Sequence, residues 1–307
     1  MIRSVTLHRL GMSMLRKRGV KHTAALRKLL HEVGVQPVPG VFNPMTALLA
    51  ERAGFKAVYL SGAALSGSLA LPDLGLLTLS EVAYFTRLIT AAVDLPLIVD
   101  VDTGFGEVLN VMRTVRELEA AGAAAIQIED QEMPKKCGHI TGKRVVKPVE
   151  MVRKIRAAAE ARTDPNFTII ARTDSRDVYG FDDAVHRALE YVEAGADVIF
   201  PEALNSEEEF REFARQVKAP LMANMTEFGK TPYIPVRRFG EIGYKLVIFP
   251  VTTFRASCKA VEEVLNRLAV EGTQAGFLDR LQTRDEFYKL IGYYDYERKD
   301  RELAGIA

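Results

Sequence analysis

A (β/α)8 barrel of the α/β class is the architecture this sequence predicts, and three observations predict it. Eight short runs rich in Val, Ile and Leu recur along the chain, at 37–41, 57–61, 95–102, 123–130, 167–174, 197–202, 220–224 and 246–250. They are continuous rather than alternating, as in parallel strands buried on both faces. Each is followed by a helix-patterned stretch: roughly 44–53, 78–92, 107–121, 149–162, 181–194, 206–217 and 235–243, with a last one from near 253. Gly54, Gly122 and Gly195 sit where such helices need a C-terminal cap. Eight β-then-α units in 307 residues read as a barrel. The alternative is a doubly wound sheet, which usually has fewer strands and a phosphate-binding Gly-rich first turn. No G-x-G-x-x-G opens a helix here, and there is no G-x-x-x-x-G-K-[ST].

The predicted domain organisation is a single barrel, 1–307, with an extra helix at each end. Residues 21–33 read as a helix with apolar Ala24, Ala25, Leu29 and Leu30. Residues 1–31 contain no acid but carry Arg3, Arg9, Arg16, Lys17, Arg18, Lys21, Arg27 and Lys28. A transit peptide has that composition. The simpler expectation is a basic leader over 1–20 without fixed structure, or a start placed too far upstream, since Met12 and Met14 follow closely. Residues 274–307 form a helical, Tyr-rich extension that a lone barrel does not need. It is expected to pack on a neighbouring subunit.

Composition excludes several partners. With 41 basic and 40 acidic side chains the net charge is +1, so neither nucleic acid nor an anionic membrane surface is expected to bind. No apolar run approaches the roughly 18–20 residues of a membrane span. Cys137 and Cys258 are too few for a disulfide framework and fit a reducing cytoplasm. Cys258 falls in a helical stretch and reads as core packing.

In a barrel the chemistry belongs at the C-terminal ends of the strands. Those ends are polar here: Tyr59-Leu60-Ser61-Gly62, Asp100-Val101-Asp102, Glu129-Asp130, Arg172-Thr173-Asp174, Glu202, Asn224 and, past the eighth, Arg255. Asp100 and Asp102 are spaced by two and face one side of a strand. Two convergent carboxylates repel unless a cation lies between them. With no Cys or His beside them, hard oxygen ligands point to Mg2+, or Mn2+, rather than zinc. Glu129 on the next strand joins through water. Asp73, in Leu-Pro-Asp-Leu-Gly, either caps a turn or faces the metal. Arg172 and Arg255 are forks for carboxylates, and the competing reading of Arg172 is an ion pair with Glu202. Ser61, the Gly62 amide, Asn224 and Thr226 add neutral donors. Together they describe a site for a small polyanion.

Beyond the fourth strand lies Lys135-Lys136-Cys137-Gly138-His139. Two ammonium groups and an imidazole beside a thiol predict a lowered thiol pKa. Gly138 suggests a loop that bends or closes.

These residues resemble the isocitrate lyase / phosphoenolpyruvate mutase superfamily. The matching motifs add Asp102-Thr103-Gly104-Phe105-Gly106, Phe200-Pro201-Glu202-Ala203 and Asn224-Met225-Thr226-Glu227 to those above, and they span about 40–260. The resemblance implies a barrel with a helix exchanged between subunits, in a homotetramer. It implies Mg2+ held by Asp102, with Asp100, Asp73 and Glu129 acting through water. Substrate would be held by Ser61, Gly62, Ala63, Gly138, Arg172, Glu202, Asn224, Thr226 and Arg255. Cys137 would transfer the proton, aided by Lys135 and His139, with Tyr59 as a shuttle. The implied reaction is cleavage of a tricarboxylate, 2-methylisocitrate, to pyruvate and succinate in propionate catabolism. The alternatives are isocitrate cleavage to glyoxylate and succinate, an oxaloacetate decarboxylase or phosphonopyruvate enzyme, and a catalytically inactive scaffold. The chain has Ser61-Gly62-Ala63 where the family often has Ser-Gly-Gly, and Lys136 where an Arg is common before the thiol. Phosphonate-processing members lack a cysteine at this loop position.

Overall fold

The computed structural model describes residues 21–305. The expected leader over 1–20 lies outside them. Eight parallel strands form the barrel: β1 (Gln36–Val41), β2 (Val58–Leu60), β3 (Leu97–Asp100), β4 (Ala125–Glu129), β5 (Thr168–Thr173), β6 (Val198–Pro201), β7 (Met222–Asn224) and β8 (Leu246–Phe249). Their order is β6-β5-β4-β3-β2-β1-β8-β7. A single parallel bridge, Ile199 to Leu221, nearly closes the ring between β6 and β7. Each strand falls within its predicted run or within one residue of it.

β1 shows how sequence sets the ladder. Its Gln36 N–H donates to Lys245 at 2.9 Å, toward β8. In parallel strands successive residues bond to opposite neighbours, so Pro37 and Pro39 face β2 without an N–H to offer. The β1–β2 register is accordingly confined to Gly40 with Tyr59 and Val41 with Leu60, whereas four residues pair with β8.

Side-chain alternation splits the core in two. Inside the ring lie Val38, Tyr59, Ile98, Ala125, Ile170, Val198, Phe200, Met222, Leu246 and Ile248. Between ring and helices lies the larger layer, including Val99, Ile126, Ile128, Ile169, Ile199 and Val247. The inward set is apolar toward the strand starts and becomes polar toward their ends. The site is therefore the top layer of the inner core.

The predicted helices form at their expected places, among them Leu79–Ala92, Val108–Ala120, Pro148–Ala161 and Phe181–Glu193. Thr78 and Glu81 close a capping box at the first of these. Two short helices were not anticipated, Gly62–Ser68 and Arg176–Tyr179, and both start at strand ends of the site. Helix Thr252–Glu271 contains no buried residue, and Cys258 on it is exposed, not packed in a core. The extension holds a 3-10 turn (Ala275–Arg280) and two helices, Arg284–Ile291 and Tyr293–Ala304. Among the described residues, no helix is long and apolar enough to cross a membrane.

Candidate active site

A cavity of about 260 Å3 opens at the C-terminal end of the barrel. Tyr59, Ser61, Ala63, Asp73, Asp100, Lys135, Cys137, Gly138, His139, Arg172, Glu202, Asn224, Thr226 and Arg255 all line it. Asp102 lines a second cavity of about 510 Å3, and Glu129 is buried. Residues far apart in sequence, from Tyr59 to Arg255, thus meet because the strands end at the same rim.

Asp100 and Asp102 converge as their spacing requires. Asp102 takes a left-handed backbone, φ 48°, which Asp tolerates better than most residues. Its N–H donates to Asp100 Oδ1 at 3.2 Å. The Gly62 N–H donates to Asp100 Oδ2, also at 3.2 Å. That amide is therefore committed to Asp100, not turned to a substrate as expected. Burial and the Asp102 charge push Asp100 up to about 6. Glu129 is raised well above the ordinary range, chiefly by burial.

The positive charge these carboxylates share is Lys135. Its Nζ bonds Asp73 and lies 2.8 Å from Asp102 Oδ1. Among the described residues, no three Asp, Glu, His or Cys side chains are already drawn into a metal-sized shell. The donor set nonetheless fits a hard divalent cation. Both Glu129 oxygens and Asp102 Oδ1 are buried and accept no hydrogen bond, although Arg172 and Lys135 stand at ion-pair distance. Buried carboxylate oxygens in that state retain acceptor capacity that a cation satisfies.

Arg172 is held by three carboxylates. Its Nε and Nη2 donate to Asp174 at 2.9 and 3.0 Å. Nη1 is 3.2 Å from Glu129 and Nη2 is 3.7 Å from Glu202. The guanidinium also stacks over Phe200, 5.4 Å from its centroid. The pairing with Glu202 weighed from sequence is the loosest of the three. Burial works against the Glu202 charge, yet Arg172 and His139 hold its carboxyl below the usual range. Asn224 donates to both Glu202 oxygens, at 3.1 and 3.3 Å. Arg255 is half-exposed and turned to the Glu227 carbonyl at 2.8 Å, at the rim rather than deep in the cavity. Ser61 Oγ accepts from Ala64 N–H at 3.2 Å, capping the unanticipated helix.

The loop 131–146 corrects one expectation outright. Each lysine ammonium is bonded to groups other than the thiol. Lys135 is drawn to the aspartates, and Lys136 Nζ donates to the Gly142 carbonyl at 3.1 Å. Burial therefore dominates and raises the Cys137 pKa, with Glu202 adding to the rise. The thiol is protonated at neutral pH. Gly138 is required by close approach: a Cβ there would lie 2.1 Å from Glu202 Oε1 and 2.4 Å from Arg172 Nη2. His139 Nδ1 accepts the Lys230 N–H at 3.0 Å, which assigns the ring proton to Nε2, 3.2 Å from Glu202.

Tyr59 is also revised. Its hydroxyl donates to Gln127 Oε1 at 2.5 Å. Burial and Asp100 raise the phenol well above its ordinary value, so it serves as a donor rather than a base. Gln127 itself escaped sequence reading. It lies two residues before Glu129 on one strand, and that same-face spacing was the available signal.

The phosphoenolpyruvate phosphomutase family profile matches residues 26–269. A protein of Aeropyrum pernix named 2-methylisocitrate lyase is 66% identical over 279 residues, covering 91% of this chain and 90% of that protein. A crystal structure of 2,3-dimethylmalate lyase superposes with TM-score 0.87 at 34% identity, over 94% of this chain and 97% of the other. A phosphonopyruvate hydrolase complex with oxalate and Mg2+ superposes with TM-score 0.83 at 33% identity, over 92% and 99%. On sequence and on fold alike, the chain belongs to the phosphoenolpyruvate phosphomutase family.

Proposed function

We propose that this chain is a carbon–carbon lyase that cleaves 2-methylisocitrate into pyruvate and succinate. The observation that carries the reading is the placement of the Cys137 thiol, its pKa raised by burial, on the same cavity as Arg172 and the aspartates Asp73 and Asp100. A proton donor facing a carboxylate-binding, cation-fitted site suits the quenching of a carbanion. The choice of substrate follows the Aeropyrum pernix relative.

The chemistry balances with the residues present. The substrate hydroxyl gives its proton to solvent water, its oxygen becomes the pyruvate carbonyl, and the C–C electron pair remains on the succinate half as an aci-carboxylate. Cys137 Sγ–H gives that carbon its proton, and the thiolate regains one from solvent. Arg172, fixed by Asp174, presents its remaining N–H groups to a substrate carboxylate. Asn224 and Thr226 orient the same end, and the loop 131–146 excludes water. Asp73, Asp100, Asp102 and Glu129 would hold Mg2+ or Mn2+, which when bound supplies charge that acidifies the hydroxyl.

A homotetramer belongs to the same proposal. Helix Thr252–Glu271 exposes Val261, Leu265, Leu268 and Val270, which supports its packing on a partner subunit along with the extension 274–307. Light scattering checks the mass.

The activity test offers 2-methylisocitrate and isocitrate with Mg2+ and follows pyruvate and glyoxylate. The expected result is higher kcat/KM for the methylated substrate, loss of activity in EDTA, and a fall of about 10³ or more in Cys137→Ser with Tm nearly unchanged. Preference for isocitrate overturns the substrate. Turnover in EDTA overturns the metal.

A further inference from the structure

Lys143 is a buried charge that the reaction above leaves unused. Its side chain has 0% exposure, and it sits at the far end of the loop that carries Cys137. The ammonium donates to the Gly138 carbonyl, in the peptide that joins Gly138 to His139 next to Cys137. It also donates to Asp174 Oδ1 at 2.9 Å. Asp174 is the carboxylate that clasps Arg172 through two hydrogen bonds, and its own N–H is anchored on Asp130 at 2.9 Å. A second carboxylate, Asp177, lies 4.0 Å from Lys143 and pairs with Lys230 at 2.5 Å. Lys230 is the residue whose N–H holds His139 Nδ1. A fully buried ammonium is costly unless its partners are fixed. Here one partner is loop backbone and the other is a strand end, so satisfying the charge fixes one to the other.

We propose that Lys143 is a positioning residue, a latch that clamps the Gly138 peptide to Asp174 and so registers the Cys137 loop against Arg172. The proposal deepens the lyase reading and rests on it for the catalytic consequence. Lys143 touches no reacting atom. Its effect is to hold Sγ where the substrate carbon arises, and a displacement of about 1 Å in such a group costs about 10² in rate. Substrate carboxylate on Arg172 and closure of the thiol loop then share one carboxylate, Asp174.

The experiment reads the loop directly as well as turnover. In a Cys258→Ala background, which removes the exposed second thiol, Cys137 is alkylated with iodoacetamide in the full-length protein. Lys143→Met is expected to raise the alkylation rate about 10-fold or more and lower kcat about 10², with KM changing far less. Lys143→Arg, which keeps the charge, is expected to restore protection in part, which a general loss of stability would not show. Where Lys143→Met does not fold, Lys143→Gln is measured in its place. An alkylation rate equal to that of the parent overturns the latch, whatever the activity. A parent protein that fails to cleave 2-methylisocitrate overturns the lyase reading, while the alkylation comparison still decides the latch.

Discussion

Lys135 and Asp102 form an ion pair, Nζ to Oδ1 at 2.8 Å, inside the group of carboxylates that fits a divalent cation. Burial alone would lower the Lys135 pKa, but Asp102 and Glu129 hold it well above the ordinary value, so the ammonium is charged at any physiological pH. Lysine and a divalent cation thus answer the same negative charge. Replacing Lys135 by Gln removes one of the two. Mg2+ is expected to bind the variant about tenfold more tightly, raising Tm by about 3–5 °C more than in the parent at equal concentration. Equal Mg2+-induced shifts in both proteins would remove this account of the pair.

Cys137 carries a pH prediction whose sign is set by burial. A thiol is neutral when protonated, and its folded pKa is raised. Its contribution to stability is therefore present below the unfolded thiol pKa and lost as pH rises through the higher folded value. In the Cys258→Ala background, alkylation of Cys137 is expected to be slow at pH 7 and still rising above pH 9. A plateau reached below pH 8 would show the thiolate to be stabilised and return the loop lysines to the role that their sequence position suggested.

Gly138 is the third point of test. Any side chain at this position meets Glu202 and Arg172 at distances no pair of atoms tolerates. Gly138→Ala is expected to unseat the loop and lower kcat about 10² while leaving the barrel folded, because the loop lies above the strands rather than within them. Circular dichroism checks the second half of that statement. A variant with parental kcat would mean that the loop sits elsewhere during turnover.

Much of the arrangement is legible in the sequence. The strand positions followed from continuous Val/Ile/Leu runs, and Asp100, Arg172, Glu202 and Asn224 were named because strand ends in a barrel must converge. The short helix after Ser61 was not readable: seven residues of Gly, Ala, Leu and Ser carry too little periodicity, and its cap became visible only as Ser61 Oγ to Ala64 N–H. Gln127 and Lys143 went unnoticed for a related reason. Gln127 shares only a strand face with Glu129 and Lys143 has no spacing to mark it, so the meaning of each lies in a partner 68 or 31 positions distant.

The sequence by itself determined the eight-stranded barrel, the rim on which the site is built and the set of carboxylates, arginines and thiol that face one another there. Those follow from local periodicity and from the rule that parallel strands in a ring end at a common face. Only the tertiary structure decided where each charge points. Lys136 precedes Cys137 directly and Lys135 lies two residues before it, yet side chains of that length reach several ångströms, and carboxylate or carbonyl partners elsewhere outbid the thiol. Proximity along the chain suggested an activated thiolate. Burial in three dimensions left a protonated thiol, because desolvation acts on the site as a whole and is invisible to adjacency.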